Sequence, residues 1–98
     1  MRLAWTERSR DDRRRIYAHI EADSPLAAIR IDERIGVEAR RLLTFPQSGR
    51  PGRVEDTREL VVGRTPFVLS YRIVGDVVRI LRVLHGAREW PEHMPDEG

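Results

Sequence analysis

Gly75-Asp76 separates two runs, Phe67 to Val74 and Val77 to Leu84, that are dense in β-branched and aromatic residues. A two-residue loop with Gly first suits a type II′ turn and closes an antiparallel hairpin, and its length fixes the register. Pairing Val74 with Val77 sets Tyr71 opposite Ile80, Arg72 opposite Arg79, Ser70 opposite Leu81 and Val68 opposite Val83. Side chains alternate along a strand, so Phe67, Leu69, Tyr71, Ile73, Val78, Ile80 and Leu84 form one apolar face, interrupted by Arg82. The other face takes Val68, Ser70, Arg72, Arg79, Leu81, Val83 and, at the strand end, His85. In the strand before the hairpin, Leu60 and Val62 belong with the apolar face, which sends Glu59 to the side of Arg72 and Arg79.

Two guanidiniums facing each other across a sheet repel by up to ~3 kcal/mol at ~5 Å with an effective dielectric of ~20. Two readings of that face stand side by side. In one, Glu59 neutralises the arginines within a solvated, ion-paired surface. In the other, Glu59, Arg72, Arg79 and His85 form a concave anion site turned toward a partner or a substrate.

The 98 residues are enough for one core and too few for two. We expect a single domain over residues 1–92 and a flexible tail over 93–98. With no cysteine there are no disulfides and no thiolate metal ligands. The opening stretch MRLAWTERSRDDRRR has no apolar h-region, and no apolar run is long enough to span a bilayer, so a soluble, cytoplasmic protein without membrane contact is expected. The formal charge is +2, yet all 18 basic residues are arginine. Arginine binds carboxylate or phosphate in a planar, two-point fashion but does not shuttle protons. Any acid–base chemistry therefore falls to His, Glu, Asp or Tyr.

Arg2 to Trp5 reads as a short opening strand. Thr6 or Ser9 can cap a first helix that runs to about Ala22, with Ile16, Tyr17 and Ile20 as its few apolar positions. Ser24-Pro25 is a strong helix start, with Ser as N-cap and Pro in the first turn. From there Ala28, Ile31, Ile35, Ala39 and Leu42 recur at steps of three and four, an apolar stripe on a second helix ending near Leu43. The short break between the helices implies an antiparallel hairpin. PQSGRPGRVED, residues 46–56, is a surface loop. Gly49 and Gly52 beside Arg50 and Arg53 suggest a phosphate cradle, but a strand follows where a P-loop requires a helix. The order is β-α-α-β-β-β, an α+β fold with a helical hairpin packed on a small antiparallel sheet. No cofactor motif and no His/Asp/Glu spacing for a metal is present; His19 and His93 are expected to face solvent.

The chain resembles toxins of the RelE/ParE superfamily of bacterial type II toxin–antitoxin modules, and the ParE side most of all. The resemblance is carried by Phe45-Pro46-x-x-Gly49-Arg50, by Thr57-Arg58-Glu59-Leu60-Val61, by Tyr71-Arg72, and above all by Ile80-Leu81-Arg82-Val83-Leu84-His85-Gly86-Ala87-Arg88-x-Trp90-Pro91. It implies the same small α+β fold, a ParD-like or other DNA-binding antitoxin whose C-terminal segment wraps the toxin, and operator DNA reached through the antitoxin alone. ParE-like members are associated with poisoning DNA gyrase, RelE-like members with cleaving mRNA on the ribosome, and the fold serves both.

For RNA cleavage, Glu59 is the candidate base, His85 the candidate acid, and Arg72 and Arg79 the cations for the phosphorane charge. Against that chemistry, this chain has none of the lysines that ribosome-dependent members often carry, and Gly86 rather than an aromatic follows His85. The candidate partner surface is an apolar groove of Ile16, Tyr17 and Ile20 with the Ala39/Leu42 end of the second helix, with Arg82, Arg88 and Trp90 as further contacts. For Trp90 the alternative is an indole that caps the open end of the core.

Overall fold

The computed structural model describes residues 1–94. The elements are β1 (Arg2–Trp5), α1 (Glu7–Glu21), α2 (Pro25–Arg41), β2 (Arg50–Pro51), β3 (Arg58–Val61), β4 (Phe67–Val74) and β5 (Val77–His85). The strands form one sheet in the order β1-β5-β4-β3-β2. The α+β architecture is the expected one, with two differences. A two-residue strand, β2, adds to the β3 edge. β1 joins β5 in parallel, which makes the sheet mixed rather than wholly antiparallel. A strand followed at once by a helical hairpin returns the chain to the same end of the sheet, so β1 and β5 run the same way.

Local chemistry explains the helix starts. The Thr6 side chain accepts from Ser9 N at 3.1 Å and donates to Leu81 O at 2.8 Å, so a single hydroxyl caps α1 and ties it to β5. Ser24 accepts from Ala27 N at 3.2 Å and Pro25 opens α2. The stripe on α2 is buried at Ala28, Ile35, Ala39 and Leu42. It meets Val62, Leu69, Tyr71, Val78, Ile80 and Val83 of the sheet region in one hydrophobic cluster, with Leu3, Trp5, Ile16 and Phe67 at its margin.

The hairpin register holds from Val74↔Val77 through Arg72↔Arg79 to Tyr71↔Ile80, and Gly75 has φ 59°, the left-handed region that the turn demands. Beyond that point the expected pairing is corrected. Ser70 stands opposite Arg82, Leu69 opposite Val83, Val68 opposite Leu84 and Phe67 opposite His85, because Leu81 is an extra residue in a β-bulge. One inserted residue flips every later side chain to the other face. Val83 thus joins the core in place of Leu84, and His85 moves to the face of Phe67, away from that of Glu59, Ser70 and Arg72. Val68, Ser70 and Leu81 are buried outside the helix-covered cluster, so the second face of the sheet is covered as well. Met94 is buried at 8% exposure. The rest of the expected flexible tail, residues 95–98, lies outside the described residues. Among the described residues no helix is long and apolar enough to cross a membrane.

Candidate functional site

On the face away from the helices, Glu59 projects from β3 and is buried, 3% exposed. The loop before β3 delivers its partners. Gly52 N donates to Thr57 O at 2.7 Å and Thr57 Oγ1 donates to Val54 O at 2.6 Å, folding 52–57 into a tight return. That return brings Arg53 back onto the strand. Its Nε and backbone N donate to Glu59 Oε2 at 3.1 and 2.7 Å, and its Nη2 donates to Oε1 at 3.1 Å. Arg50 Nη2 reaches Oε1 at 3.1 Å from β2. Burial alone would raise the Glu59 pKa, but the hydrogen bonds from Arg53 and Arg50 outweigh it and hold the carboxyl below its ordinary value. Glu59 is therefore a fixed carboxylate with both oxygens engaged, and a weak base.

Arg53 also carries the chain's C-terminal segment. Its guanidinium carbon lies 3.7 Å from the centroid of the Trp90 ring, and the indole Nε1 donates to His85 O at 3.1 Å. Arg72 donates to Asp56 O at 3.3 Å, and Arg79 stands across from it in β5 as the turn dictated.

His85 sits on the helix side. Its ring meets Phe67 edge-on, with centroids 6.0 Å apart and planes at 83°, and Nδ1 accepts from Ala87 N at 3.2 Å. There it lines a groove of roughly 600 Å³ between the helical hairpin and the β4 and β5 ends, with Ile16, Ile20, Ile31 and Phe67 as walls and Arg15 and Arg88 among its charged lining. A shallower extension of roughly 200 Å³ runs along Val83, Leu84 and His85 past Asp12 and Glu89.

The proposed nuclease set is thus divided: Glu59, Arg72 and Arg79 share a face, and His85 is on the other. Of the proposed partner residues, Ile16, Ile20 and Arg88 line one groove. Tyr17 belongs to a separate depression with Arg10, Arg13, Arg14 and Asp32. Leu42 is fully buried in the core, and Arg82 is forked onto Asp12, Nε to Oδ2 at 2.7 Å and Nη2 to Oδ1 at 3.0 Å. Trp90 stacks on Arg53. His19 and His93 are exposed. Sequence reasoning passed over Arg50 and Arg53 as partners of Glu59, and over Phe67 and Ile31 as groove walls. The arginines at 50 and 53 beside a glycine-rich loop were a signal, one that pointed to phosphate rather than to Glu59.

A two-helix hairpin on a mixed five-stranded sheet, with an apolar groove beside its last long strand, defines an α+β toxin fold of the RelE/ParE superfamily. Residues 3–90 match the model of the ParE toxin of the type II toxin-antitoxin system, parDE, and the chain belongs to that family. It is 45% identical over 91 residues to the protein Y4kP of Sinorhizobium fredii (strain NBRC 101917 / NGR234), covering 93% of this chain and 94% of that one. It is 37% identical over 86 residues to toxin RelE2 of Caulobacter vibrioides, covering 88% and 96%. A solved structure of the chromosomal ParDE TA system from P. aeruginosa aligns with a TM-score of 0.76 and 30% identity over 85% of this chain and 92% of that one.

Proposed function

We propose that this ParE-family toxin acts by binding DNA gyrase rather than by catalysis, and that a cognate antitoxin neutralises it by filling the groove beside β5. Operator DNA is then reached through the antitoxin. The observation that carries the reading is the placement of Glu59 and His85 on opposite faces of the sheet. A general base and a general acid for one phosphodiester must each come within about 3 Å of the proton they transfer. Groups separated by the thickness of a sheet do not meet that condition at one phosphate. Glu59 is in addition committed to Arg50 and Arg53.

The groove supports the antitoxin half of the reading. Its walls are apolar and its flanks cationic, the complement of an amphipathic segment with acidic side chains.

The test is gyrase supercoiling of plasmid DNA with purified, antitoxin-free protein, scored for lost supercoiling and for trapped linear DNA. Inhibition near stoichiometric toxin is expected. No inhibition at large excess, from protein shown to be folded, overturns the reading and directs attention to ribosome-dependent mRNA cleavage of the RelE kind.

A further inference from the structure

α2 has two sides. Ala28, Ile35 and Ala39 are buried against the sheet, while Leu26, Ile29 and Val37 stand 55%, 44% and 48% exposed on the outer side. Single exposed apolar residues are ordinary, but these three lie along one stripe with opposite charges set between them. Leu26, Arg30, Glu33 and Val37 follow one another at steps of four, three and four, the spacing of a coiled-coil seam, and Ile29 flanks it. The seam runs about 17 Å along the helix at about 1.5 Å per residue. Ile31, which lines the groove beside β5, lies about 140° from Leu26 around the axis, so the two surfaces are separate.

Among the described residues, Arg30 and Glu33 have no ion pair and no side-chain hydrogen bond. Their neighbours are engaged: Arg41 reaches Glu38 at 3.2 Å, and Arg34 Nε donates to Gly63 O at 2.8 Å. Arg30, Glu33, Arg34 and Val37 stand at i, i+3, i+4 and i+7, the diamond into which a side chain from a facing helix inserts. With Glu38 they line a shallow depression of roughly 360 Å³.

The order of the charges selects what complements this surface. A parallel copy of α2 would set Arg30 on Arg30 and Glu33 on Glu33, like charge on like. An antiparallel copy, related by a two-fold axis between Ile31 and Asp32, sets Arg30 on Glu33 twice and Leu26 on Val37 twice. Ile29 of each copy then stands over Arg34 of the other, at that depression, where the stems of Arg30 and Arg34 supply apolar wall.

We propose that the outer side of α2 is a self-association surface, on which two copies of this chain pack α2 on α2, antiparallel and two-fold symmetric. A contact between two short helices falls at the small end of interface sizes, so the dimer is weak, with a Kd on the order of 10 µM. It needs neither antitoxin nor target, and it leaves the groove beside β5 open in each copy.

Sedimentation equilibrium of the free toxin from about 1 to about 300 µM tests it. A monomer–dimer equilibrium that weakens with salt is expected. A monomer at every concentration overturns the proposal and leaves the face to a partner of another kind. Glu33→Arg sets cation on cation at both seam pairs and Arg30→Glu sets anion on anion, and each is expected to raise the dimer Kd about tenfold. Both residues are exposed, and thermal melts check that the helix is intact. An equal mixture of the two variants restores opposite charges across the heterodimer, and the double variant Arg30→Glu/Glu33→Arg restores them within one chain. In both, the Kd is expected to return to within about threefold of wild type. A dimer indifferent to these substitutions lies on another face and overturns the proposal.

Discussion

Glu59 and His85 face opposite sides of one sheet, and a single inserted residue, Leu81, separates them. Without the bulge His85 would share the face of Arg72 and Glu59. With it, the imidazole turns to Phe67 and the groove under α1. Residues that act as one catalytic unit are strongly non-additive, whereas residues that share no partner add to within about 0.5 kcal/mol. In growth-arrest and gyrase assays, the effects of Glu59→Gln and His85→Ala are therefore expected to multiply in the double variant. A double variant no worse than the more damaged single one would put both residues in one reaction.

Glu59 also makes the fold acid-sensitive. Its carboxyl pKa is lowered in the folded state, burial opposing and the Arg53 and Arg50 hydrogen bonds prevailing. The folded chain thus binds this proton less readily than the unfolded chain, so the contribution is present above the ordinary value of about 4.5 and is lost as pH falls through the lower folded-state value. Chemical melts at pH 7 and pH 3 are expected to show a loss in wild type that is smaller in Glu59→Gln. At pH 7 that variant should cost about 2 kcal/mol, less than a fully buried pair because both arginines are partly in water.

Asp12 ties the middle of α1 to β5, beyond the Thr6 cap. Its carboxylate takes two bonds from Arg82 and a third from Val83 N, with both side chains largely shielded from solvent. Asp12→Ala leaves a guanidinium and a strand N–H without their acceptor, and a loss of about 3 kcal/mol is expected. Urea denaturation measures it. Asp12→Ala with Arg82→Met should recover part of the loss, because the stranded charge is removed with its partner.

Tyr71 fixes the Phe45-Pro46-x-x-Gly49-Arg50 loop from beneath. Its hydroxyl donates to Pro46 O at 2.7 Å and accepts from Gly49 N at 3.0 Å. A Cβ on Gly49 would lie 2.6 Å from that hydroxyl and 2.9 Å from Glu59 O, so the glycine is required by close approach. Tyr71→Phe is expected to cost about 1–2 kcal/mol and to accelerate exchange of the Gly49 amide. Gly49→Ala should cost more, since backbone as well as side chain must yield.

What could be read from the chain before folding was whatever local rules decide. Ser24-Pro25 places the start of α2, the 28/31/35/39/42 stripe finds its buried side, and Gly75-Asp76 sets four residue pairs of the hairpin correctly. The Leu81 bulge leaves only an indirect trace, Arg82 interrupting the apolar face of an unbulged register, and nothing local to Ile80-Leu81-Arg82-Val83 says which residue is the extra one. The site suffered from the same blindness. Glu59 was placed on the correct face, but its partners come from a loop whose return depends on Gly52, Thr57 and the left-handed Asp56, φ 60°. The parallel seat of β1 is likewise a matter of three-dimensional return, invisible in four residues.

Trp90 joins the C-terminal segment to the rest through Arg53 and His85 O, and Met94 beyond it is buried where Met1 is 48% exposed. If the indole anchors the segment, Met94 should resist peroxide in the wild type while Met1 oxidises readily. Trp90→Ala removes a cation–π contact of about 1 kcal/mol and a hydrogen bond of similar worth, and Met94 is expected to approach the Met1 rate. Mass spectrometry of the two methionines in one sample provides the comparison with an internal reference. A Met94 rate unmoved by Trp90→Ala would mean that Met94 is held by its own packing. The Arg53–Trp90 stack would then secure the loop to the strand end without governing the segment beyond it.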